Sequence, residues 1–222
     1  MESRNDGLDA KADREAARPK GALLPYRVVN DFLDEDSVDG LLRLTLSREA
    51  QFRKTTIGTG DAARLAPDVR MSLCLRPLED LQPLFVPRLR ELASRVAGDM
   101  GLSVVDELLI ELELVAHGDG AFYKRHIDTQ TGGDATSRRV LSGVYYFNHQ
   151  PKGFSGGALR LYAVGADKRF FDIEPAHNSF VVFPSWAPHE VMPVSCPSGE
   201  FIHSRFAVNC WMRRTTSWTQ YS

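Results

Sequence analysis

Residues 103–214 are a succession of short runs rich in β-branched and aromatic residues, separated by clusters of Gly, Pro, Asn and Asp. Runs of roughly four to eight such residues between turn signals are typical of β-strands. Eight short strands with turn signals between them favour a sandwich or barrel over an α/β sheet. The eight runs are LLIELELVA, FYKRHID, RVLSGVYYFN, GALRLYA, RFFDIE, NSFVVFP, HEVMPV and FIHSRFAVNCWM.

The part of the chain before these runs carries two helical patterns. In residues 34–49, apolar residues recur at helical spacing behind acidic residues that suit a helix start. A second amphipathic pattern covers residues 79–99, where Pro87 is expected to set or kink the start of the helix. A strand over 25–33 precedes the first helix, and the polar stretch 48–70 is predicted to be a mobile flap. We expect the second helix to back the sheet.

The composition is that of an ordinary globular protein. With 222 residues, 43% of them hydrophobic, and a net charge of -2, the chain predicts one domain over 23–222 after a poorly ordered tail at 1–22. The nearly neutral net charge does not indicate a basic surface for nucleic acid. No apolar run reaches the roughly 20 residues of a membrane-spanning helix, and the tail lacks the apolar segment of a secretory signal. Three cysteines without a C-x-x-C pair indicate neither a disulfide framework nor a structural zinc site. We therefore expect a cytoplasmic protein without nucleic-acid or membrane partners.

One predicted strand contains a histidine and an aspartate two positions apart, His126 and Asp128. Residues at this spacing project from the same face of a strand, so both side chains can reach one point. His189, at the start of a later strand, offers a third donor. Two imidazoles and a carboxylate on one face of Fe(II) leave positions open for other ligands, as in non-haem oxygenases. The alternative is a chance pair, because short motifs of this kind also occur by accident.

The other histidines are predicted to be surface or hydrogen-bonded residues rather than ligands. They are His117, His149, His177 and His203.

The last predicted strand places Arg205, Ala207, Asn209 and Trp211 on one face. An inward-facing Arg205 needs an anionic partner, because an unpaired buried charge is costly, and its planar fork matches a carboxylate. The alternative is that Arg205 lies on the solvent face.

Five segments in this order resemble the Fe(II)/2-oxoglutarate-dependent oxygenases of the prolyl 4-hydroxylase family, over about residues 108–214. YKRHIDT resembles the Tyr-x-x-His-x-Asp motif of the family, VYYFN its Tyr-Tyr-Leu-Asn strand and GGALRLY its Gly-Gly-x-Leu-Arg strand. PHEV resembles the segment of the distal histidine, and SRFAVNCW the last strand with its arginine. The last two segments particularly resemble the oxygen-sensing prolyl hydroxylases. The N-terminal part is similar to that family in layout only.

This resemblance implies a mainly β fold, a double-stranded β-helix or jelly roll with supporting N-terminal helices. It implies Fe(II) held by His126, Asp128 and His189, with O2 and the cosubstrate 2-oxoglutarate, and with ascorbate as a candidate reductant. The distal carboxylate of the cosubstrate would pair with Arg205 and Tyr146, whereas Tyr145 on the opposite face would pack in the core. The remaining residues expected in the cosubstrate pocket are Tyr123, Asn209 and Trp211.

The chain also departs from the family pattern. His117 stands where the family commonly has a tyrosine, and the separation of His189 from Arg205 is longer than usual. Arg160 and Arg139 are therefore alternative partners for the carboxylate, and Arg139 is expected to be solvated.

The resemblance implies hydroxylation of an unactivated C–H bond of an amino-acid side chain, with release of succinate and CO2. A prolyl or other residue of a peptide or protein is the expected substrate, with the flap 48–70 closing over it. Retention of Asp128 favours hydroxylation over halogenation, because related halogenases replace this carboxylate with a small residue. Two alternatives are the same chemistry on a free amino acid or small metabolite, and a non-catalytic jelly-roll binding module.

Overall fold

Two antiparallel β-sheets, one of seven strands and one of five, form the body of the protein. The computed structural model describes residues 24–58, 63–102, 108–129, 138–164 and 169–215. Its two α-helices are α1 (Glu35–Ser47) and α2 (Gln82–Val96). Its strands are β1 (Arg27–Asn30), β2 (Arg53–Lys54), β3 (Arg70–Met71), β4 (Leu73–Leu75), β5 (Leu108–His117), β6 (Phe122–His126), β7 (Arg139–Phe147), β8 (Ser155–Gly156), β9 (Leu159–Tyr162), β10 (Phe170–Ile173), β11 (Ser179–Pro184), β12 (His189–Val191), β13 (Val194–Ser195) and β14 (Arg205–Arg214).

The large sheet has the strand order β1-β11-β7-β14-β5-β4-β2, and the small sheet has the order β10-β9-β12-β6-β3. Strands β8 and β13 form a separate pair. An apolar cluster joins the two sheets, with Leu159 and Leu161 of β9 packed with Val181 and Phe183 of β11. This is the double-stranded β-helix that the sequence predicts.

Both helices cover the outer face of the large sheet. Asp34 caps α1, accepting a hydrogen bond of 2.9 Å from the backbone N–H of Ser37. Phe85 and Leu89 of α2 are fully buried in the same cluster as Phe206 of β14. The prediction that the second helix backs the sheet is confirmed.

The start of α2 differs from the expectation. The helix begins at Gln82, with Pro83 in its first turn and Pro87 inside it, and a 3-10 turn over Glu79–Leu81 precedes it. A proline in the first turn sacrifices no helical hydrogen bond, so Pro83 suits the helix start better than Pro87.

Strand β14 carries two different faces because its side chains alternate. Phe206, Val208, Cys210 and Met212 pack into the cluster under the helices. The alternate residues, from Arg205 onward, face the small sheet and line the space between the two sheets. The functional part of the molecule lies in that space.

The segment 48–70 is more ordered than a free flap. It contains a 3-10 turn over Glu49–Gln51, strand β2 and the first residue of β3, and Ile57 forms an isolated bridge with Arg64. Because β2 pairs with β4 in the large sheet and β3 pairs with β6 in the small sheet, this part of the chain connects the two sheets at one edge. Residues 59–62 of the predicted flap, and the predicted tail at 1–22, lie outside the described residues.

Two predicted strands also have different limits. The run HEVMPV divides into β12 and β13 around Pro193, which has no N–H to donate to a ladder. The residues Phe201–His203 form a 3-10 turn before β14 rather than its first part. Within the described part of the chain, no helix has the length and apolar character needed to cross a membrane.

Candidate active site

Three side chains of the small sheet meet at one point between the sheets. His126 ends β6 and His189 begins β12, and the two residues are direct partners across this strand pair. Asp128 follows β6, where its backbone N–H donates to Ser185 O at 3.0 Å. Its carboxylate oxygens lie 3.6 Å from His126 Nε2 and 3.5 Å from His189 Nε2. One donor atom from each of the three residues lies within 4.8 Å of the others, which suits a single metal ion.

Backbone carbonyls fix the orientation of both imidazoles. His126 Nδ1 lies 2.8 Å from Lys124 O, and His189 Nδ1 lies 2.9 Å from Ala187 O. A carbonyl oxygen only accepts hydrogen bonds, so each Nδ1 carries a proton, and Nε2 is the ring nitrogen left to bind a metal. The ring of Tyr123 stacks on His126 with a centroid distance of 3.6 Å and restricts its rotation.

The protonation states also suit metal binding. Burial, together with repulsion from His189, lowers the pKa of His126 to about 3, so this imidazole is neutral near pH 7. Burial alone would raise the pKa of Asp128, but the two imidazoles and the hydrogen bond from Ser142 bring it below its usual value. Neutral imidazole and ionised carboxylate are the forms that bind a cation, and two His with one Asp is the donor set of non-haem Fe(II) sites. These residues therefore fit Fe(II).

The large sheet provides the opposite wall of the site. Its central strands β5, β14 and β7 are in register, so their inward side chains form successive rows. Asp128 contacts the outermost row, where Ser142 donates to its carboxylate at 2.6 Å. From the outer to the inner end, the rows are Glu111, Trp211 and Ser142; Glu113, Asn209 and Val144; Val115, Ala207 and Tyr146; and His117 with Arg205.

The innermost row contains a buried arginine. Arg205 is 1% exposed, and its Nε and Nη2 atoms have no hydrogen-bond partner in the described part of the protein. The guanidinium carbon lies 4.7 Å from the centroid of the Tyr146 ring, and the Tyr146 hydroxyl is also buried without a well-aligned partner. A buried guanidinium with unsatisfied N–H groups beside a hydroxyl suits a carboxylate ligand.

His117 holds this arginine from the other side. Burial and the nearby charges of Arg205 and Arg70 keep the pKa of His117 well below its ordinary value, so the imidazole is neutral. Its Nδ1 atom therefore accepts a hydrogen bond from Arg205 Nη1 at 3.3 Å. The histidine that replaces the expected tyrosine thus contacts the arginine and not the three-residue cluster.

The remaining predicted pocket residues line the same cavity, which extends from the cluster to Arg205. Tyr145 points the other way, into the core, where its hydroxyl donates to Asn178 at 3.0 Å. The residues that line the cavity as expected are Tyr123, Tyr146, Asn209 and Trp211.

Each of the two alternative arginines already has a carboxylate partner, unlike the Nε and Nη2 groups of Arg205. Arg160 pairs with Asp172 on the small sheet, at 2.7 Å. Arg139 is not solvated as expected, because its side chain is 14% exposed, pairs with Glu111 at 2.5 Å and lies over the ring of Trp211. Among these three arginines, only Arg205 has buried N–H groups without a hydrogen-bond partner in the described part of the protein.

Several residues that shape the site were not predicted. Ser142 contacts both Asp128 and Ser185, and Glu113 accepts from Arg70 at 3.0 Å and from Asn209 at 3.1 Å. Strand alternation alone indicates Ser142, which is four residues before Tyr146 on the same strand and so shares its face. Arg70 comes from β3 and no local pattern indicates it.

Comparisons with known proteins agree with this site. Residues 112–213 match the sequence model of the 2OG-Fe(II) oxygenase superfamily. The chain is 34% identical over 198 residues to an uncharacterized PKHD-type hydroxylase of Synechocystis sp., an alignment that covers 85% of this chain and 63% of that protein. The chain thus spans less than two thirds of the length of this curated relative.

Two solved structures are similar in fold. A prolyl-4-hydroxylase of Pseudomonas putida matches with a TM-score of 0.63 and 26% identity, covering 88% of this chain and 95% of its own. A prolyl hydroxylase of Trichoplax adhaerens, solved with a peptide fragment of the hypoxia inducible factor oxygen degradation domain, matches with a TM-score of 0.64 and 21% identity over 85% of this chain and 83% of its own.

The hydrogen bond from Ser142 predicts an effect on metal affinity. We expect Ser142→Ala to weaken Fe(II) binding about 10- to 100-fold, because the carboxylate loses a donor that orients it. Anaerobic titration calorimetry measures the change, and Ser94→Ala on the exposed face of α2 is the matched control. An unchanged affinity in Ser142→Ala would show that this hydrogen bond does not position Asp128.

The low pKa of His117 predicts a pH-dependent stability. As the pH falls below about 6.5, the unfolded chain binds a proton at this residue and the folded chain does not, so the free energy of unfolding decreases by up to about 1.4 kcal/mol per pH unit. We expect His117→Asn to remove this contribution, giving a shallower loss of stability between pH 7 and pH 5 in urea unfolding. His203→Asn, which leaves His117 in place, is the control. Equal slopes in wild type and His117→Asn would contradict the assignment.

Proposed function

We propose that the chain, whose residues 112–213 match the sequence model of the 2OG-Fe(II) oxygenase superfamily, is a 2-oxoglutarate-dependent hydroxylase of amino-acid side chains. A prolyl residue in a peptide or protein is the proposed target. The observation that carries the proposal is one cavity with an oriented His-Asp-His cluster near its outer end and the unsatisfied guanidinium of Arg205 at its inner end. Such a cavity suits two ligands, a metal ion and a dicarboxylate.

In the proposed enzyme, His126, Asp128 and His189 would hold Fe(II), and this donor set would leave room at the metal for the cosubstrate and O2. When bound, Fe(II) would supply O2 activation, in which one oxygen atom of O2 enters succinate as 2-oxoglutarate loses CO2 and the other hydroxylates a substrate C–H bond. The protein supplies binding and orientation. Asp128 fills a ligand position with a carboxylate, which supports hydroxylation rather than halogenation.

Arg205 would bind the distal carboxylate of 2-oxoglutarate with two N–H groups, and the Tyr146 hydroxyl would donate a further hydrogen bond. His117 holds the guanidinium in place through Nη1, which leaves Nε and Nη2 for the ligand. Because Arg205 is fully buried, this interaction is screened little by water or salt.

The residues around the cluster keep the outer end of the cavity narrow. Tyr123 stacks on His126, Asn209 donates to Glu113, and Trp211 lines the cavity together with Asp128. Strands β3 and β4 close the adjacent edge of the two sheets. A substrate would therefore approach from the outer rows, at the opposite end from Arg205. The peptide in the Trichoplax complex and the prolyl-4-hydroxylase of P. putida support a peptidyl proline as the target.

A non-catalytic binding module accounts poorly for this site. It would have no use for two imidazoles whose Nε2 atoms face one buried, ionised carboxylate.

We predict that the chain forms succinate from 2-oxoglutarate when Fe(II) is present, and that proline-containing peptides that are substrates gain one oxygen atom. His126→Ala and Asp128→Ala should abolish both, since each removes a metal ligand. Succinate is measured enzymatically and the oxygen by mass spectrometry, with His203→Asn as the matched control outside the cluster. Undiminished succinate formation in either ligand variant would overturn the assignment of the metal site.

We further predict that Arg205→Ala weakens 2-oxoglutarate binding by about 30-fold or more, because it removes one partner of a buried charge pair. Arg205→Lys keeps the charge but loses the fork and should give an intermediate affinity. Titration of 2-oxoglutarate into the Mn²⁺-loaded protein measures the effect, and the Mn²⁺ affinity of each variant is the internal control. Equal losses for metal and 2-oxoglutarate would place the carboxylate partner elsewhere.

A further inference from the structure

Four arginines lie near the outer rows of the cavity. Arg70 lines the cavity beside Tyr123, and the other three lie around Trp211 or Glu111. We name all four the arginine rim, and they come from four different strands or their immediate ends. We propose that the arginine rim binds a carboxylate of the substrate, so that the enzyme selects acidic substrates; this inference rests on the proposed function. The residues of the arginine rim are Arg70, Arg76, Arg139 and Arg213.

The rim carries an excess of positive charge. Glu111 pairs with both Arg139 and Arg213, at 2.5 Å and 2.7 Å. Glu113 likewise pairs with both Arg70 and Arg76, at 3.0 Å and 2.7 Å. Each carboxylate therefore serves two guanidiniums, and the six side chains together have two positive charges in excess. A guanidinium has five N–H donors, so such sharing leaves donors for a further anion.

The rim is also accessible from solvent. The side chain of Arg76 is 54% exposed and that of Arg213 is 20% exposed, whereas Glu113 is only 3% exposed. Solvent access is therefore through Arg76, which lies over the buried carboxylate of Glu113, and through Arg213, whereas Arg70 and Arg139 are only 9% and 14% exposed.

The rim lies close to the place where a substrate would react. Arg139 Nη1 is 3.5 Å from the backbone oxygen of Asp128, a member of the cluster. The guanidinium carbons of Arg139 and Arg76 lie 4.2 Å and 5.7 Å from the ring centroid of Trp211, which lines the cavity. The aromatic ring and the glutamates hold the cations in place, so little ordering is needed when an anion binds.

A carboxylate suits this surface better than a nucleic acid. The excess of two charges is confined to one end of a cavity, and the whole chain has a net charge of -2, whereas nucleic-acid binding requires an extended basic face. The carboxylate could belong to an acidic side chain beside the target residue of a peptide, or to a small acid that is itself the substrate. Binding tests with matched probes distinguish these sources.

The experiment compares probes that differ only in charge. The peptide pair has a central proline flanked by two Glu or by two Gln, and the small-molecule pair is N-acetylproline and its amide. Affinities are measured by calorimetry on the protein loaded with Mn²⁺ and 2-oxoglutarate, which requires no turnover. We expect the acidic member of one pair to bind about tenfold more tightly or better, a difference that one charge pair accounts for. The pair that shows the difference identifies the source of the carboxylate.

Variants assign the preference to the rim. Arg76→Gln and Arg139→Gln should each reduce the preference for the acidic probe, and Arg88→Gln, on the exposed side of α2, should retain it. The affinity for 2-oxoglutarate is measured on the same proteins, because the rim could instead attract the cosubstrate. Equal affinities within both pairs, or a preference that survives in both rim variants, would overturn the inference. Failure of a tightly bound acidic peptide to stimulate succinate formation would instead count against the proposed function.

Discussion

The backbone pairing of β6 with β12 is the interaction on which the site depends. It places His126 opposite His189. The ring centroids of these two residues, which are more than sixty positions apart in sequence, therefore lie only 4.1 Å from each other. Asp128 completes the cluster because the chain leaves the strand directly after His126 and is tied to Ser185. A shift of one residue in this pairing would turn one of the histidines to the opposite face of the sheet and separate the donors.

Strand β14 contributes both to the apolar core and to the polar site. Its alternate residues Phe206 and Val208 pack under the helices, and its other face presents Arg205 and Asn209 to the cavity. Burial of the Arg205 charge is unfavourable in the absence of an anion, and burial indeed lowers the pKa of this residue. The structure can hold this unfavourable buried charge because β14 is paired along its length with β5 and β7, which fix the position of the arginine.

The sequence predicts those parts of this structure that depend on local periodicity. Period-two alternation indicates the strands, the shared face of Arg205 and Trp211, and the opposite directions of Tyr145 and Tyr146. The resemblance supplied the pairing of distant segments, which no local pattern contains. The prediction that Arg139 is solvated was wrong. The environment of Arg139 depends on Glu111, which lies twenty-eight residues away in sequence, on β5. Arg70 was missed for the same reason, since its position depends on β3 joining the edge of the small sheet.

The cavity has a different physical character at each end, and this difference can separate two anionic ligands. At the inner end Arg205 is buried beside a neutral imidazole, so it interacts strongly with an anion but is reached only through the cavity. At the outer end the guanidiniums of Arg76 and Arg213 are partly solvated and share carboxylates, so each attracts an anion more weakly. A dicarboxylate that chelates iron gains from the buried arginine and the metal together, whereas a substrate acid reaches only the rim. The cosubstrate should therefore occupy the inner end first, because a substrate seated on the rim would lie across the outer end of the described cavity.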